Sequence, residues 1–172
     1  MKQKKIQCKI PLQTIQEGIH EFTFIIEKTF IEQYTIEEVL DANITVVVTF
    51  RKQTQLHHVN YSITGTAVVP CDRCLDDCTV TLEMSDSLVL KIAASDNEFA
   101  DSEDVYYIQS DDTEVDISNL IYESIILALP LQKIHPEGMC NKEIEKYIRS
   151  EEQKKNTTID SRWESLQNMF DN

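Results

Sequence analysis

Glycine is scarce, with three in 172 residues. Neither G-x-x-x-x-G-K-S/T nor G-x-G-x-x-G occurs, which excludes the common glycine-rich cradles for phosphate. Long apolar runs are also missing. The most apolar stretch, 120–131, is broken by Tyr122, Glu123 and Ser124 and is too short to cross a bilayer. The opening Met1–Lys5 is basic, but Ile6-Gln7-Cys8-Lys9-Ile10-Pro11 supplies no apolar signal core, so the chain reads as cytoplasmic. Positive charge is the third deficit: 16 Lys and Arg face 30 Asp and Glu, a formal net charge of −14. That balance is a poor match for a phosphate backbone, where Lys and Arg supply the binding. It suits a basic protein partner, because complementary fields steer association; acidity also serves solubility alone.

No catalytic constellation emerges. The carboxylates are spread along loops, so no acid–base pair separates from them. His57-His58 opens a strand with no matched nucleophile nearby and reads as a pair of surface histidines. We therefore expect a binding or assembly protein, not an enzyme.

What the chain does have is alternation. Ile44, Val46, Val48 and Phe50 recur at every second position, as do His20, Phe22, Phe24 and Ile26, and then Tyr61, Ile63, Ala67 and Val69. Gly65 inside the last of these runs marks a bulge or a close backbone approach. Val80, Leu82 and Met84 predict a short strand that Ser85-Asp86 interrupts before Leu88, Leu90 and Ile92 resume. Residues 95–104 read as an acidic solvated loop, followed by a short strand at 105–108. A helix is predicted over Ile117–Leu129, with Asp116 as N-cap and Pro130 as its stop. Ile117, Leu120, Ile121, Ile125 and Ala128 make one apolar face. Ile126, Leu127 and Leu129 widen it, so the last turns should be deeply buried. The expected fold is α+β: an antiparallel sheet, able to curl towards a barrel, packed by that helix and followed by a short helical tail. The core domain is placed at 1–134 and the tail at 135–172. In the tail, 141–152 can be helical, and Ser161-x-x-Glu164 has the form of a capping box. Trp163 there either packs on the core or presents an aromatic anchor to a partner.

Five cysteines, an odd number, argue against a disulfide framework. Three of them, Cys71, Cys74 and Cys78, crowd the junction between two strand patterns. Cys71-Asp72-Arg73-Cys74 on a tight turn can direct two thiolates at one ion, with Cys78, His135 and Cys140 as candidates to complete a tetrahedron. A set of Cys71, Cys74, His135 and Cys140 is chemically sensible for one structural zinc. Three alternatives stand beside it. A redox pair would need a helix to follow Cys74, where a strand is expected. A cluster on Cys71, Cys74, Cys78 and Cys140 fits neither common ferredoxin spacing. Small packed thiols with no ligand would also suit a core.

Several segments together resemble a known family. Gly65-x-Ala-Val-Val-Pro-Cys71-Asp-Arg-Cys74-Leu75-Asp, the helix ending Tyr122-Glu123-x-Ile125-x-Leu127-Ala128-Leu129-Pro130, and Ile159-Asp160-Ser161-Arg162-Trp163-x-x-Leu166 are similar to the YceD-like family, named for large ribosomal RNA subunit accumulation. The chain departs from it in two places. Many members carry further cysteine pairs after the Leu-Pro segment, where His135 and Cys140 stand here, and Ser161 replaces the usual proline. The resemblance implies a non-enzymatic role in bacterial large-subunit biogenesis, and a small basic ribosomal protein of the large subunit as partner. Combined with the charge, it points to Asp72, Arg73, Asp76, Asp77 and Trp163 as contact residues, with no membrane and no small-molecule substrate. Precursor ribosomal RNA is the alternative partner, through a basic strip of Lys2, Lys4, Lys5, Lys9, Arg51, Lys52 and Arg73. A zinc-dependent nucleic-acid binder and a thiol or metal enzyme at the Cys-x-x-Cys turn are the remaining alternatives.

Overall fold

The computed structural model describes residues 6–34, 39–93 and 105–147. The predicted acidic loop, most of the tail and Trp163 lie outside them. The chain forms two compact units, one of residues 1–70 with 77–133, the other of 71–76 with 134–172.

The larger unit is built on a five-stranded sheet in the order β2 (Gly18–Glu27), β3 (Asp41–Lys52), β4 (Leu56–Pro70), β5 (Asp77–Ile92) and β6 (Val105–Ile108). The strands β2 to β5 are antiparallel neighbours in sequence order, the meander that their alternation predicts. The sheet is open at β2 and β6 and does not close into a barrel. β6 lies parallel to β5, a departure from the expected antiparallel arrangement. A second sheet pairs β1 (Lys9–Pro11) with β7 (Glu114–Asp116), and a single turn of helix, α1 (Lys28–Ile31), follows β2.

Inward positions carry the core. Ile44, Val46, Val48 and Phe50 of β3 are fully buried, and Val59, Ile63 and Val69 of β4 face the same side. Each such aliphatic side chain contributes ~1.5–3 kcal/mol on burial. β5 runs unbroken through Ser85-Asp86, contrary to the predicted interruption. The alternation never loses phase there: Cys78, Val80, Leu82, Leu88 and Leu90 are all buried at even positions. Asp86 keeps the same parity opposite Tyr61, whose hydroxyl lies 3.4 Å from its carboxylate. Gly65 sits in continuous register with Ile44, so it marks a close approach and not a bulge. A Cβ placed on it would come within 2.3 Å of the Asn43 carbonyl oxygen.

The helix α2 (Ser118–Ala128) packs against β5. The N-cap position falls on Ile117, one residue after the expected Asp116, although the Asp116 carboxylate still accepts from the Ser118 amide at 2.9 Å and from the Ser118 hydroxyl. The buried stripe is Ser118, Ile121, Tyr122, Ser124 and Ile125. Tyr122 stacks on Tyr34 with centroids 3.7 Å apart, and Ser124 bonds the Tyr61 hydroxyl at 2.8 Å. These polar-edged contacts turn the helix so that its last turn is not deeply buried, a correction to the sequence reading: Leu127 is 76 % exposed. His57 is a second correction. The period-2 pleat points it inward, where it is buried edge-on against Phe50, while its neighbour His58 faces the other side.

Within the smaller unit, residues 142–147 are helical. The Asn141 carboxamide oxygen accepts from the Glu143 amide at 3.1 Å, satisfying one of the free first-turn donors.

Candidate metal centre

The turn joining β4 to β5 is closed by two backbone bonds. Cys71 donates its amide to the Asp76 carbonyl, and Leu75 donates to the Cys71 carbonyl, each at 2.9 Å. The second is a five-residue ring that ends on a left-handed residue, the geometry that commonly closes a helical turn. Leu75 takes that position with φ 64°. The turn buries Cys71 and Cys74 and leaves Asp72, Arg73, Leu75 and Asp76 exposed. A left-handed backbone costs a non-glycine residue about 1–2 kcal/mol. Leu75 belongs to the Cys71-Asp-Arg-Cys74-Leu75 segment of the family resemblance, but its residue type gives no sign of the left-handed backbone.

The segment after α2 supplies the other half. Pro136-Glu137-Gly138-Met139 is a tight turn, with the Met139 amide bonded to the Pro136 carbonyl at 3.0 Å and Gly138 at φ 79°. Positive φ at the third position is what a type II turn demands, and glycine adopts it without a Cβ clash. The turn reverses the chain between His135 and Cys140, so residues five apart present ligand atoms to the same point.

Cys71, Cys74, His135 and Cys140 come together as expected, with their ligand atoms all within 4.8 Å of one another. The Cys74 sulfur lies 3.4 Å from His135 Nδ1 and the Cys140 sulfur 3.8 Å from the same nitrogen. Tetrahedral zinc with bonds of about 2.0–2.3 Å sets its ligand atoms roughly 3.6–3.8 Å apart. Three soft sulfurs and one imidazole nitrogen are the donor set that zinc prefers, so the residues present fit the ion. Nδ1 faces the sulfurs and would be the ligand, leaving Nε2 to carry the ring proton.

The electrostatics favour deprotonation at one thiol. Burial opposes the charged form of Cys71. The amides of Arg73, Cys74 and His135, with the Cys74 side chain, nonetheless bond its sulfur and bring the thiol down to about 6. Burial, followed by the neighbouring Cys71 and Cys74, pushes Cys140 up. A divalent cation would relieve this crowding of sulfurs directly.

The remaining cysteines stand apart. Cys78, a candidate ligand in the sequence, is an inward residue of β5 and lies outside the cluster. Cys8 is buried elsewhere, and burial and Asp116 push its thiol up to about 11. None of the five cysteines forms a disulfide. As expected, β5, a strand, follows the Cys-x-x-Cys turn, where a thioredoxin-like redox pair would need a helix.

The cluster, most of the strand that leads into it and the helix between its two halves fall within one stretch of matched sequence. Residues 59–170 match a family model described as large ribosomal RNA subunit accumulation protein YceD. The chain belongs to the YceD family. The match spans β4 from Val59 onward, β5, α2 and all four residues of the candidate metal centre. Neither a curated protein nor a solved structure matches the chain. The family's name ties the YceD chain to large-subunit ribosomal RNA, in agreement with the resemblance read from its motifs. Among the described residues, no helix is long and apolar enough to cross a membrane.

Proposed function

We propose that this YceD-family chain acts without catalysis, in the cytoplasm, in large ribosomal subunit biogenesis. It binds a basic ribosomal protein of that subunit and holds one structural zinc on Cys71, Cys74, His135 and Cys140. The observation that carries this reading is the family match over residues 59–170. The formal charge of −14 supports a basic protein as the partner. Asp72, Arg73 and Asp76, exposed on the rigid cysteine turn, with Asp77 next to them in sequence, are the proposed contact residues.

The alternative of direct binding to precursor ribosomal RNA loses part of its basic strip. Lys9 is engaged by Glu114, and the Lys52 ammonium donates to the carbonyls of Leu12 and Ile15 at 2.6 and 2.8 Å. Purification of the tagged chain from growing cells, followed by identification of bound proteins and RNA, tests the proposal. Recovery of a basic large-subunit protein or a precursor particle is the expected result. Recovery of neither would remove the hypothesis. RNA retention that disappears steeply with salt, with no ribosomal protein present, would favour the alternative.

A further inference from the structure

We propose that Leu75 is the apolar anchor of a protein-docking site on the cysteine turn, suited to a partner that offers an apolar pocket rimmed by basic residues. The inference rests on the reading that the chain binds a basic protein, and it names the residue at the centre of that contact.

A single exposed leucine is ordinary on a protein surface. Leu75 combines two properties that are not ordinary together. It is 79 % exposed, so burial against the described residues does not account for it. Its backbone is left-handed at φ 64°, and it is the one non-glycine residue with positive φ among the described residues. Glycine closes such a turn freely, and asparagine does so with little strain. Neither packing against the described residues nor backbone conformation therefore calls for leucine here. Backbone strain kept at an exposed position points to a role outside the folded chain.

The surroundings define the partner. Asp72 and Asp76 flank Leu75 as exposed carboxylates, and Asp77 follows in sequence. An apolar centre with a charged rim is the layout of a protein interface, where a desolvated anchor supplies affinity and rim charges set orientation and on-rate. Arg73, also exposed, adds one positive group that a partner must match, which favours one register over others. The anchor is held ready, since the Cys71–Asp76 and Leu75–Cys71 backbone bonds fix the turn before any partner arrives. RNA is the poorer fit: carboxylates repel phosphate, and leucine has no flat face on which a base can stack.

The test uses the full-length, zinc-loaded chain and fluorescence anisotropy. The probes are individually purified basic proteins of the large ribosomal subunit and, separately, a fragment of large-subunit ribosomal RNA. At least one ribosomal protein should bind. Leu75→Gly and Leu75→Ser should weaken that binding about tenfold or more, as loss of an anchor does, while Leu75→Met stays close to the parent. Leu75→Gly should keep or raise the thermal midpoint, which separates lost binding from lost folding. If Leu75→Gly binds the same ribosomal protein as tightly as the parent, the anchor is refuted and the broader functional reading survives. If the parent binds none of the proteins, that reading fails and takes this proposal with it. Binding to the RNA fragment alone, indifferent to Leu75 and steep in salt, overturns both.

Discussion

The Cys74 sulfur lies 3.4 Å from His135 Nδ1, although 61 residues separate the two in the chain. Among the described residues of the unit that holds them, Cys71, Cys74 and Cys140 are buried, whereas Leu75, Met139 and Tyr147 are each more than two-thirds exposed. Metal binding should therefore be folding for this unit. Protein purified without chelator or added metal should contain about one zinc per chain. Removing zinc should raise amide exchange over residues 134–147 and leave β3, β4 and β5 protected. Cys140→Ser should lower zinc affinity by more than about 100-fold, beyond the loss expected for an outer-shell partner. Unchanged exchange on chelation would refute the coupling, and a metal-free preparation would point to packed thiols.

The Tyr61–Ser124 contact should be a measurable tie between the sheet and α2. The two hydroxyls are 2.8 Å apart and buried. Tyr61→Phe should cost about 1 kcal/mol in a urea melt. The loss stays modest because Ser124 also donates to the Leu120 carbonyl at 2.8 Å. A double-mutant cycle with Ser124→Ala should return a coupling of about 0.5–1 kcal/mol, and additivity would show that the bond contributes nothing.

Gly65→Ala should be far more damaging than a surface change of one methyl. The added Cβ would meet backbone, at 2.3 Å from Asn43 O and 2.7 Å from Ile44 Cα, and neither atom can swing away as a side-chain end can. Separation of β3 from β4 at that point should cost about 3 kcal/mol or more. A loss below 1 kcal/mol, read from the urea midpoint at constant slope, would refute the close approach.

Stability should fall on mild acidification because of His57. Burial, then the positive charge of Lys52, holds its imidazole below the ordinary 6.5, against hydrogen bonds with Gln53 and Leu56. The unfolded chain takes up this proton near pH 6.5 while the folded chain resists it. The His57 contribution is therefore full above about 6.5 and is lost as pH drops towards the folded value, at no more than about 1.4 kcal/mol per unit. Thermal melts from pH 7.5 to 5 should show a steeper decline for the parent than for His57→Gln. Parallel declines would assign the acid sensitivity to other groups.

Much of this was legible in residue types and spacing. Strict alternation located β3 and β4 and put Ile44, Val48 and Ile63 in the core, because a half-buried strand has few other ways to satisfy both faces. The clustering of Cys71, Cys74, His135 and Cys140 was legible because thiol and imidazole donors are rare enough for their spacing to carry information. Local chemistry misled at Ser85-Asp86, where two polar residues read as a break although the parity of the apolar positions ran straight through. The pairing of Lys9–Pro11 with Glu114–Asp116 escaped notice, since a three-residue strand has no pattern of its own and its partner lies more than 100 residues away. The exposed end of α2 was missed because the apolar stripe does not reveal that Tyr122 and Ser124 have partners that rotate the helix. Leu75 was legible only as part of the Cys-Asp-Arg-Cys-Leu segment, because the angle that sets it apart belongs to the backbone and not to the side chain.

The split of the candidate metal ligands between two distant turns also imposes an order of events. During synthesis the Cys71–Cys74 turn leaves the ribosome first. His135 follows 61 residues after Cys74, which at 5–20 residues per second is a delay of roughly 3–12 s. Through that interval the chain carries half of the candidate site: the thiols of Cys71 and Cys74, without His135 or Cys140 to complete the set. If the proposed zinc is bound there, its stable capture must be among the last steps of maturation, and a cell short of zinc would accumulate chains whose sheet is finished and whose clasp is still open.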